Sequence, residues 1–300
     1  MREKRRVQDS IVSIARSKTE QASINEALEL LPMKDIIHPG DRVVITPNWV
    51  NANPPATATT VGQESLRTLI RCIRTYQPKD IIIATGSGED TEKVFHQIGY
   101  DKVIEEEQVR FIDLNFGPFT EIDLEHSVVP KTKINQIFDE TDVLISFTQL
   151  KQHEEATMSA SIKNIAIGWP PAEIHGFPKK NLGIHEDLHG FIAAMAKKLP
   201  IDLAVISADK VMIGTGPNHG KAVDTQGLVI ASTDPVAVDT IGARLLGFLP
   251  QAIRYLYELS RCKLGEANPE NMIFKGLSLP EAERIFSNAA YGQDIIIDKK

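Results

Sequence analysis

Short runs of apolar, mostly β-branched residues alternate with segments of helical character along this 300-residue chain. Several runs are apolar at consecutive positions, which is typical of strands buried on both faces. The alternation predicts an α/β fold with a mostly parallel sheet, helices on both faces and right-handed crossovers. The predicted strands are residues 10–15, 42–46, 80–85, 109–114, 142–147, 202–207 and 227–232.

Two helix starts are marked by capping residues. Ser23 and Glu26 have capping-box spacing ahead of "ALELL", which predicts that a helix begins at Ser23. Asp234 precedes Pro235 and a run with apolar residues at helical spacing, which predicts a second start there. Within that helix Asp239 falls among apolar residues and needs a partner, either Arg244 or a lysine from a cleft.

Chain length allows one large α/β domain over residues 1–300, or two lobes that share a cleft and meet near 150–180. The segment 168–183 is rich in Pro and Gly and is interpreted as a lid or a connection between lobes. Parallel sheets bind ligands on the loops that follow the carboxyl ends of their strands, so a cleft is expected there.

Composition excludes several classes of protein. The net charge of -7 argues against broad nucleic-acid binding, and no apolar run is long enough to suggest a membrane span. The basic cluster at Arg2–Arg6 is interpreted as a solvated terminus. Two cysteines and no signal-peptide pattern favour a cytoplasmic protein. The sequence carries no signal for an oligomeric state.

The stretch "QLKQHEEATMSASIKNIAIG" follows the predicted strand 142–147 and carries the main chemical signal. Lys151 and Lys163 are candidates for orienting an anion and stabilising negative charge, and His153 is the candidate acid or base. The alternative is that Glu154 and Glu155 pair with these lysines on an exposed loop. Further binding candidates are Asn48, Ser159 and Asn164.

Two glycine-containing loops follow other strands. Gly214, Gly216 and Gly220 would let backbone N–H groups approach a phosphate or carboxylate, although an ordinary turn explains them equally well. In "ATGSGED", Glu89 and Asp90 would repel a phosphate, so hydroxyl or metal binding is favoured there. A helix cap is the simplest role for Asp90.

The segment "HEDLH" matches the H-E-x-x-H pattern of zinc hydrolases. On a helix it would hold a divalent metal through His185 and His189, with Glu186 as the general base. The alternative is a partly exposed helix start whose histidines line the same cleft as His153.

Four segments, "VVITPNWV", "LISFTQLKQHEEATMSASIKNIAIG", "MIGTGPNHG" and "VIASTDPVAVDTIGARLLG", occur in an order that resembles domain-of-unknown-function family 362 over about residues 40–250. The family's usual Lys-x-His and Lys-Asn motifs are present at 151–153 and 163–164. Its first motif has lysine where this chain has Thr46. Some relatives carry ferredoxin-type cysteines, but with two cysteines no iron–sulfur cluster is expected here.

A fainter similarity is to the N-terminal domain of the nickel-pincer lactate racemase family. In that family a histidine and a lysine ten positions later serve the cofactor, an interval that His153 and Lys163 share. The family's proton-transfer histidine corresponds to Gly88, so a racemase would lack one of its bases. This resemblance implies the fold and the cleft, and not the activity.

The leading hypothesis is an enzyme that acts on a small anionic substrate or a bound cofactor in a cleft lined by Lys, His and Asn. One alternative is a non-catalytic module that binds a metal or cofactor. The other is the zinc-dependent hydrolase.

Overall fold

A ten-stranded sheet forms the centre of the protein, whose computed structural model describes residues 2–295. The sheet order is β12-β1-β11-β9-β7-β2-β3-β4, with β10 paired to β9 and β8 paired to β7, while β5 and β6 form a separate hairpin. The strands are β1 (Ile11–Arg16), β2 (Arg42–Pro47), β3 (Asp80–Thr85), β4 (Arg110–Asp113), β5 (Phe119–Asp123), β6 (Lys131–Asn135), β7 (Val143–His153), β8 (Thr157–Ser159), β9 (Leu203–Ile213), β10 (Lys221–Asp224), β11 (Leu228–Ser232) and β12 (Ile273–Gly276).

The sheet is mostly parallel, as predicted. From β9 through β7, β2 and β3 to β4 all neighbours run parallel, whereas β11 is antiparallel to both β9 and β1. All seven predicted strands are present, and the short β5, β6, β8, β10 and β12 were not predicted.

Helices cover both faces of the sheet. They are α1 (Glu20–Glu29), α2 (Met33–Ile36), α3 (Gln63–Arg74), α4 (Thr91–Ile98), α5 (Tyr100–Glu106), α6 (Ser161–Gly168), α7 (Ala172–His175), α8 (Leu188–Lys198), α9 (Pro235–Leu245), α10 (Arg254–Arg261) and α11 (Leu279–Tyr291). Val43 and Ile45 pack into one apolar core with α1 to α5, whereas Val44 packs into the other core with α6 and α8 to α11. Burial on both faces explains the unbroken apolar runs.

The helix at Asp234 begins as predicted, because the Asp234 side chain accepts hydrogen bonds from the N–H groups of Val236 and Ala237. The predicted start at Ser23 is wrong. Helix α1 begins at Glu20, since Thr19 accepts a hydrogen bond from Ala22 N. Ser23 Oγ instead accepts from Ser17 N at 2.7 Å.

The N-terminal arginines are not a solvated terminus, which corrects the interpretation from sequence. Arg2 Nη1 lies 2.5 Å from the buried carboxylate of Asp202, and Arg5 Nη2 lies 3.2 Å from that of Asp234. Arg6 pairs with a third aspartate. Buried carboxylates are stable only when they are paired, so these arginines tie the N-terminal segment to the domain.

Two central strands continue beyond the stretches predicted for them. β7 runs to His153 and β9 to Ile213, and β8 and β10 extend the sheet as their antiparallel neighbours. The chemical stretch after residue 147 was expected to be a loop and is instead mostly a hairpin, β7–β8. Its polar residues alternate with buried Leu150 and Met158, which is the two-residue period of a strand. The many charged residues of the stretch make this period hard to recognise in the sequence.

No helix within residues 2–295 has the length and apolar character needed to cross a membrane.

Candidate functional site: a lysine-lined cavity at the strand ends

A cavity of about 390 Å³ lies at the carboxyl ends of β2, β3 and β7, where the fold predicts a ligand site. Its walls come from the β7–β8 hairpin, α6, the loops after β2 and β3, and the segment 169–187 between α6 and α8, which we call the strap. The structure brings together most of the candidates named from sequence. Those that line the cavity are Asn48, Lys151, His153, Ser159, Lys163, Asn164 and His185.

Strand alternation selects which hairpin side chains reach the cavity. Lys151 and His153 are two residues apart on β7 and share one face. Ser159 on β8 is the direct cross-strand partner of Lys151, so it lies on that face as well. Gln152 points the other way and accepts a hydrogen bond from Gly214 N at 2.5 Å.

Lys151 is a buried amine with which no carboxylate among residues 2–295 pairs. Its side chain is 1 % exposed, and Nζ donates to Thr59 O at 2.9 Å. Burial, with a smaller contribution from the charge of Lys163, lowers the pKa of Lys151 to about 7. Lys151 therefore changes its charge near neutral pH.

Lys163 lies in the first turn of α6 and is partly exposed to the cavity. Among residues 2–295 no group accepts a hydrogen bond from its ammonium. Burial lowers the pKa of Lys163 to about 8, and the charge of Glu155 opposes that shift. This leaves Lys163 as a cation whose donors are open to a ligand.

Asp239 fixes the position of α6. Its carboxylate accepts from Ser161 N at 2.8 Å, from Ser161 Oγ at 2.6 Å and from Ile162 N at 3.1 Å. The predicted partners of Asp239, Arg244 or a cleft lysine, are wrong, because the N–H groups at the start of a helix lack intrahelical acceptors and bind the carboxylate instead. Arg244 pairs with Glu283 at 2.7 Å. Burial raises the pKa of Asp239 to about 7.

His153 is held in one neutral tautomer. Its Nδ1 accepts from Glu155 N and from Ala156 N, both at 3.1 Å. Nδ1 therefore carries no hydrogen, and Nε2–H is the group left for a ligand. Burial and then the charges of Lys163 and Lys151 lower the pKa of His153 to about 2. In this form His153 donates a hydrogen bond and cannot accept a proton at Nε2.

Asn48 and Asn164 join different elements of the fold by hydrogen bonds. Asn48 donates to Thr59 O at 2.8 Å and accepts from Gln149 N at 3.0 Å, so it joins the loop after β2 to β7. Asn164 donates to Thr46 O at 2.8 Å and to Ser146 Oγ at 3.1 Å, which anchors α6 to the sheet. Both residues line the cavity, but their amide donors are used within the protein.

The glycine loop at residues 214–220 lines the cavity with residues other than the predicted Gly214, Gly216 and Gly220. Gly216 O accepts from Glu154 N, and a Cβ at Gly216 would lie 1.9 Å from Gln152 O. A Cβ at Gly220 would lie 2.4 Å from Ile213 O. Gly216 and Gly220 therefore permit close packing against the β7–β8 hairpin and the end of β9. Gly214 differs, because a Cβ there would meet nothing within 4 Å, and its φ of +86° is the feature that favours glycine. Pro217 and Asn218 are the members of the loop that line the cavity.

The strap covers the cavity and brings Lys179, which sequence reasoning did not identify. Lys179 is 3 % exposed, and its Nζ donates to Gly86 O, Ile167 O and Gly168 O at 3.1, 3.1 and 2.9 Å. Burial lowers the pKa of Lys179 to about 7. Three acceptors nevertheless require all three hydrogens of an ammonium group, so the observed contacts favour the charged form. The sequence signal that could have identified Lys179 is its position inside the Pro- and Gly-rich segment 168–183.

Glu155 joins the hairpin to the strap. Its carboxylate lies 2.5 Å from His185 Nδ1 and 3.5 Å from Lys180 Nζ. Burial opposes ionisation, but His185 and Lys180 hold the pKa of Glu155 below its usual range. The alternative interpretation, in which Glu154 and Glu155 pair with Lys151 and Lys163, is therefore wrong for the described residues, because Glu155 forms its ion pairs with Lys180 and His185.

The H-E-x-x-H pattern does not lie on one helix. Asp187 caps α8 by accepting from Gly190 N, so His185 and Glu186 precede the helix and only His189 is within it. His189 stacks on Tyr255, with 5.7 Å between ring centroids. The zinc-hydrolase hypothesis requires both histidines on one helical face and is not supported.

A side-chain metal site does not fit the described residues. Within 2–295, no group of three or more His, Cys, Asp or Glu side chains is placed to hold a metal ion. Asp90 is a helix cap, as expected, because it accepts from Lys93 N at 3.0 Å at the start of α4.

The fold and the cavity define an α/β protein with a lysine-lined cavity at the carboxyl edge of a mostly parallel sheet. The chain belongs to the family described as domain of unknown function 362, DUF362, whose model matches residues 43–244. Where that family usually has a lysine, Thr46 Oγ1 accepts a hydrogen bond from Trp169 Nε1 at 3.1 Å, so this position is committed to packing.

A curated relative is a thylakoid-associated protein from Synechocystis sp., 24% identical over 286 residues, which cover 90% of this chain and 88% of that protein. Among solved structures, the lactate racemase apoprotein from Thermoanaerobacterium thermosaccharolyticum is similar at 19% identity and a TM-score of 0.47, with 80% of this chain and 57% of that chain covered. It belongs to the family to which the fainter sequence similarity pointed. The cytoplasmic location of the present chain stays a prediction.

Proposed function

We propose that the cavity binds a small anionic substrate or cofactor and that the protein is an enzyme acting on it. The observation that carries the proposal is Lys163, a cation aimed at the cavity with no acceptor among the described residues. A buried or half-buried charge without a partner is unfavourable, so an anion that pairs with Lys163 would be bound strongly.

The neighbouring groups favour the same ligand. His153 offers Nε2–H from a neutral ring, and Ser159 offers a hydroxyl with no partner among residues 2–295. In an enzyme these donors would stabilise negative charge that develops on the substrate. Lys151, with a pKa of about 7, would be the group that exchanges a proton.

The test compares two lysines of the same cavity. Lys163→Met should weaken anion binding by about 10- to 100-fold, because a hydrogen bond to a charged group is worth about 1.5–3 kcal/mol. Lys180→Met is the matched control, since Lys180 lines the same cavity but pairs with Glu155. A panel of small anions would be screened by thermal shift and the hits measured by calorimetry.

Equal anion affinity in the Lys163→Met variant and the wild-type protein would refute the proposed site. If the Lys180→Met variant loses affinity as strongly, general cavity charge rather than Lys163 determines binding.

A non-catalytic module that binds a cofactor is the second candidate. It is favoured by the tautomer of His153, whose Nδ1 is already an acceptor for two backbone N–H groups and whose Nε2–H can only donate, so His153 does not act as a base. This alternative predicts tight stoichiometric binding with no turnover of the bound molecule, and native mass spectrometry of the purified protein distinguishes the two.

A further inference from the structure

Lys151 and Lys163 are two amines of the cavity that form no ion pair with a carboxylate among residues 2–295. Lys151 Nζ has one acceptor, the carbonyl of Thr59, and Lys163 Nζ has none among the described residues. The charge of Lys163 lowers the pKa of Lys151 further than burial does alone, to about 7. In the free protein the two amines therefore carry less than two positive charges above pH 7.

The other ionisable side chains of the cavity compensate this pair only in part. The charge of Glu155 acts on Lys163 from a distance, but its carboxylate forms its ion pairs with His185 and Lys180 on the strap. Glu154 is exposed at the rim, where solvent screens its charge. The remaining groups are the neutral ring of His153 and Lys179, which three carbonyls hold.

We propose that the ligand of this cavity is a dianion that engages Lys151 and Lys163 together, and that Lys151 takes up a proton when the ligand binds. The inference rests on the proposed anion site and specifies its ligand. A monoanion would neutralise Lys163 alone and supply no second negative charge to hold a proton on Lys151. Two negative charges on neighbouring oxygens, as in a dicarboxylate or a phosphate monoester, match both amines.

The proton balance makes the proposal measurable. The neutral amine of Lys151 gains one proton from solvent and becomes an ammonium group, and no covalent bond to the ligand forms. Below pH 6 Lys151 is already protonated, so binding should take up almost no proton. Near pH 8 most Lys151 amines and about half of the Lys163 amines are neutral in the free protein, so uptake should exceed one proton per ligand, with Lys151 contributing the larger part.

The experiment is isothermal titration calorimetry of the full chain in buffers with different ionisation heats, at pH 6, 7.5 and 8. Oxalate and sulfate are the dianion probes, because both stay doubly charged throughout this range, and acetate is the monoanion. Oxalate represents dicarboxylates, and sulfate represents tetrahedral ligands such as phosphate monoesters. The probe that binds more tightly therefore identifies which of these two chemical classes the cavity prefers.

The expected result is at least tenfold tighter binding of one dianion than of acetate, with proton uptake that rises from pH 6 to 8. Lys151→Met should reduce this rise by more than half and leave the part that comes from Lys163, whereas Lys180→Met should keep the full rise. The pH profile of the wild-type protein tests the proposal even if the Lys151→Met variant does not fold.

Binding of acetate as tight as that of both dianions, or proton uptake that does not change between pH 6 and 8, would overturn the dianion proposal while leaving the anion site intact. If no anion binds, or if Lys163→Met binds as well as the wild type, the proposed function fails as well.

Discussion

Lys163 and Lys179 line the same cavity, one on α6 and the other on the strap, yet their ammonium groups are in opposite situations. Lys179 donates to three carbonyls, whereas Lys163 donates to no described residue. Lys151 is intermediate, with the single acceptor Thr59 O. Burial alone therefore does not indicate function. An unsatisfied donor that faces a cavity does, because the protein leaves its hydrogen bonds for something else.

The largest expected effect is the loss of stability in Lys179→Met. The change leaves three buried carbonyls without their donor, and each unsatisfied buried group costs about 1–3 kcal/mol, so we expect a loss of about 3 kcal/mol or more. Urea unfolding measures it. Lys163→Met is the control and should not lower the free energy of unfolding, because it removes a half-buried charge that has no acceptor among the described residues. If the two variants had the same free energy of unfolding, the three hydrogen bonds of Lys179 would contribute nothing to stability beyond what Lys163 contributes.

Gly86→Ala tests the anchor of the strap from the opposite side. A Cβ at this position would lie 2.8 Å from Lys179 Nζ, 2.8 Å from Gly168 O and 2.6 Å from Asn115 Oδ1. Such overpacking costs about 1–3 kcal/mol, measured as a lower urea midpoint. Gly88→Ala is the matched control, because its Cβ would meet only Val50 O, at 3.7 Å. Similar losses in both variants would mean that general loop strain, and not Lys179, is responsible.

Lys151 should make stability depend on pH. Its folded pKa of about 7 lies below its unfolded value, so the unfolded chain binds more protons above pH 7 and the free energy of unfolding rises with pH. Relative to Lys151→Met, the wild-type protein should gain about 1 kcal/mol between pH 7 and 8. Urea unfolding at several pH values measures this difference. A difference that stays constant over this range would show that Lys151 is already charged in the folded protein.

The sequence predicts the framework of the site better than its details. Each of the seven long strand runs is recognisable because burial on both faces requires consecutive apolar residues. Lys151, His153 and Lys163 line one cavity because β7, β8 and α6, which carry them, are consecutive in the chain. Their proximity can therefore be predicted from local sequence.

The details depend on contacts between distant segments. The three acceptors of Lys179 come from the loop after β3 and the end of α6, and the carboxylate that holds α6 comes from α9. No pattern around Lys179 or Asp239 indicates these partners. The tautomer of His153 depends on two backbone N–H groups in a tight turn, which residue types alone do not specify.

The smallest expected effect concerns the second attachment of the strap. Glu155→Gln removes the charge that holds Lys180 and His185, but Glu155 is about half exposed, so the loss of stability should be less than about 1 kcal/mol. Hydrogen exchange should nevertheless increase at residues 178–185, because the strap would lose its ion pairs with Glu155 and depend on the anchor that Lys179 provides. Glu154→Gln, one residue away and without a described ion pair, is the control. Unchanged exchange in Glu155→Gln would mean that Lys179 alone determines how firmly the strap covers the cavity.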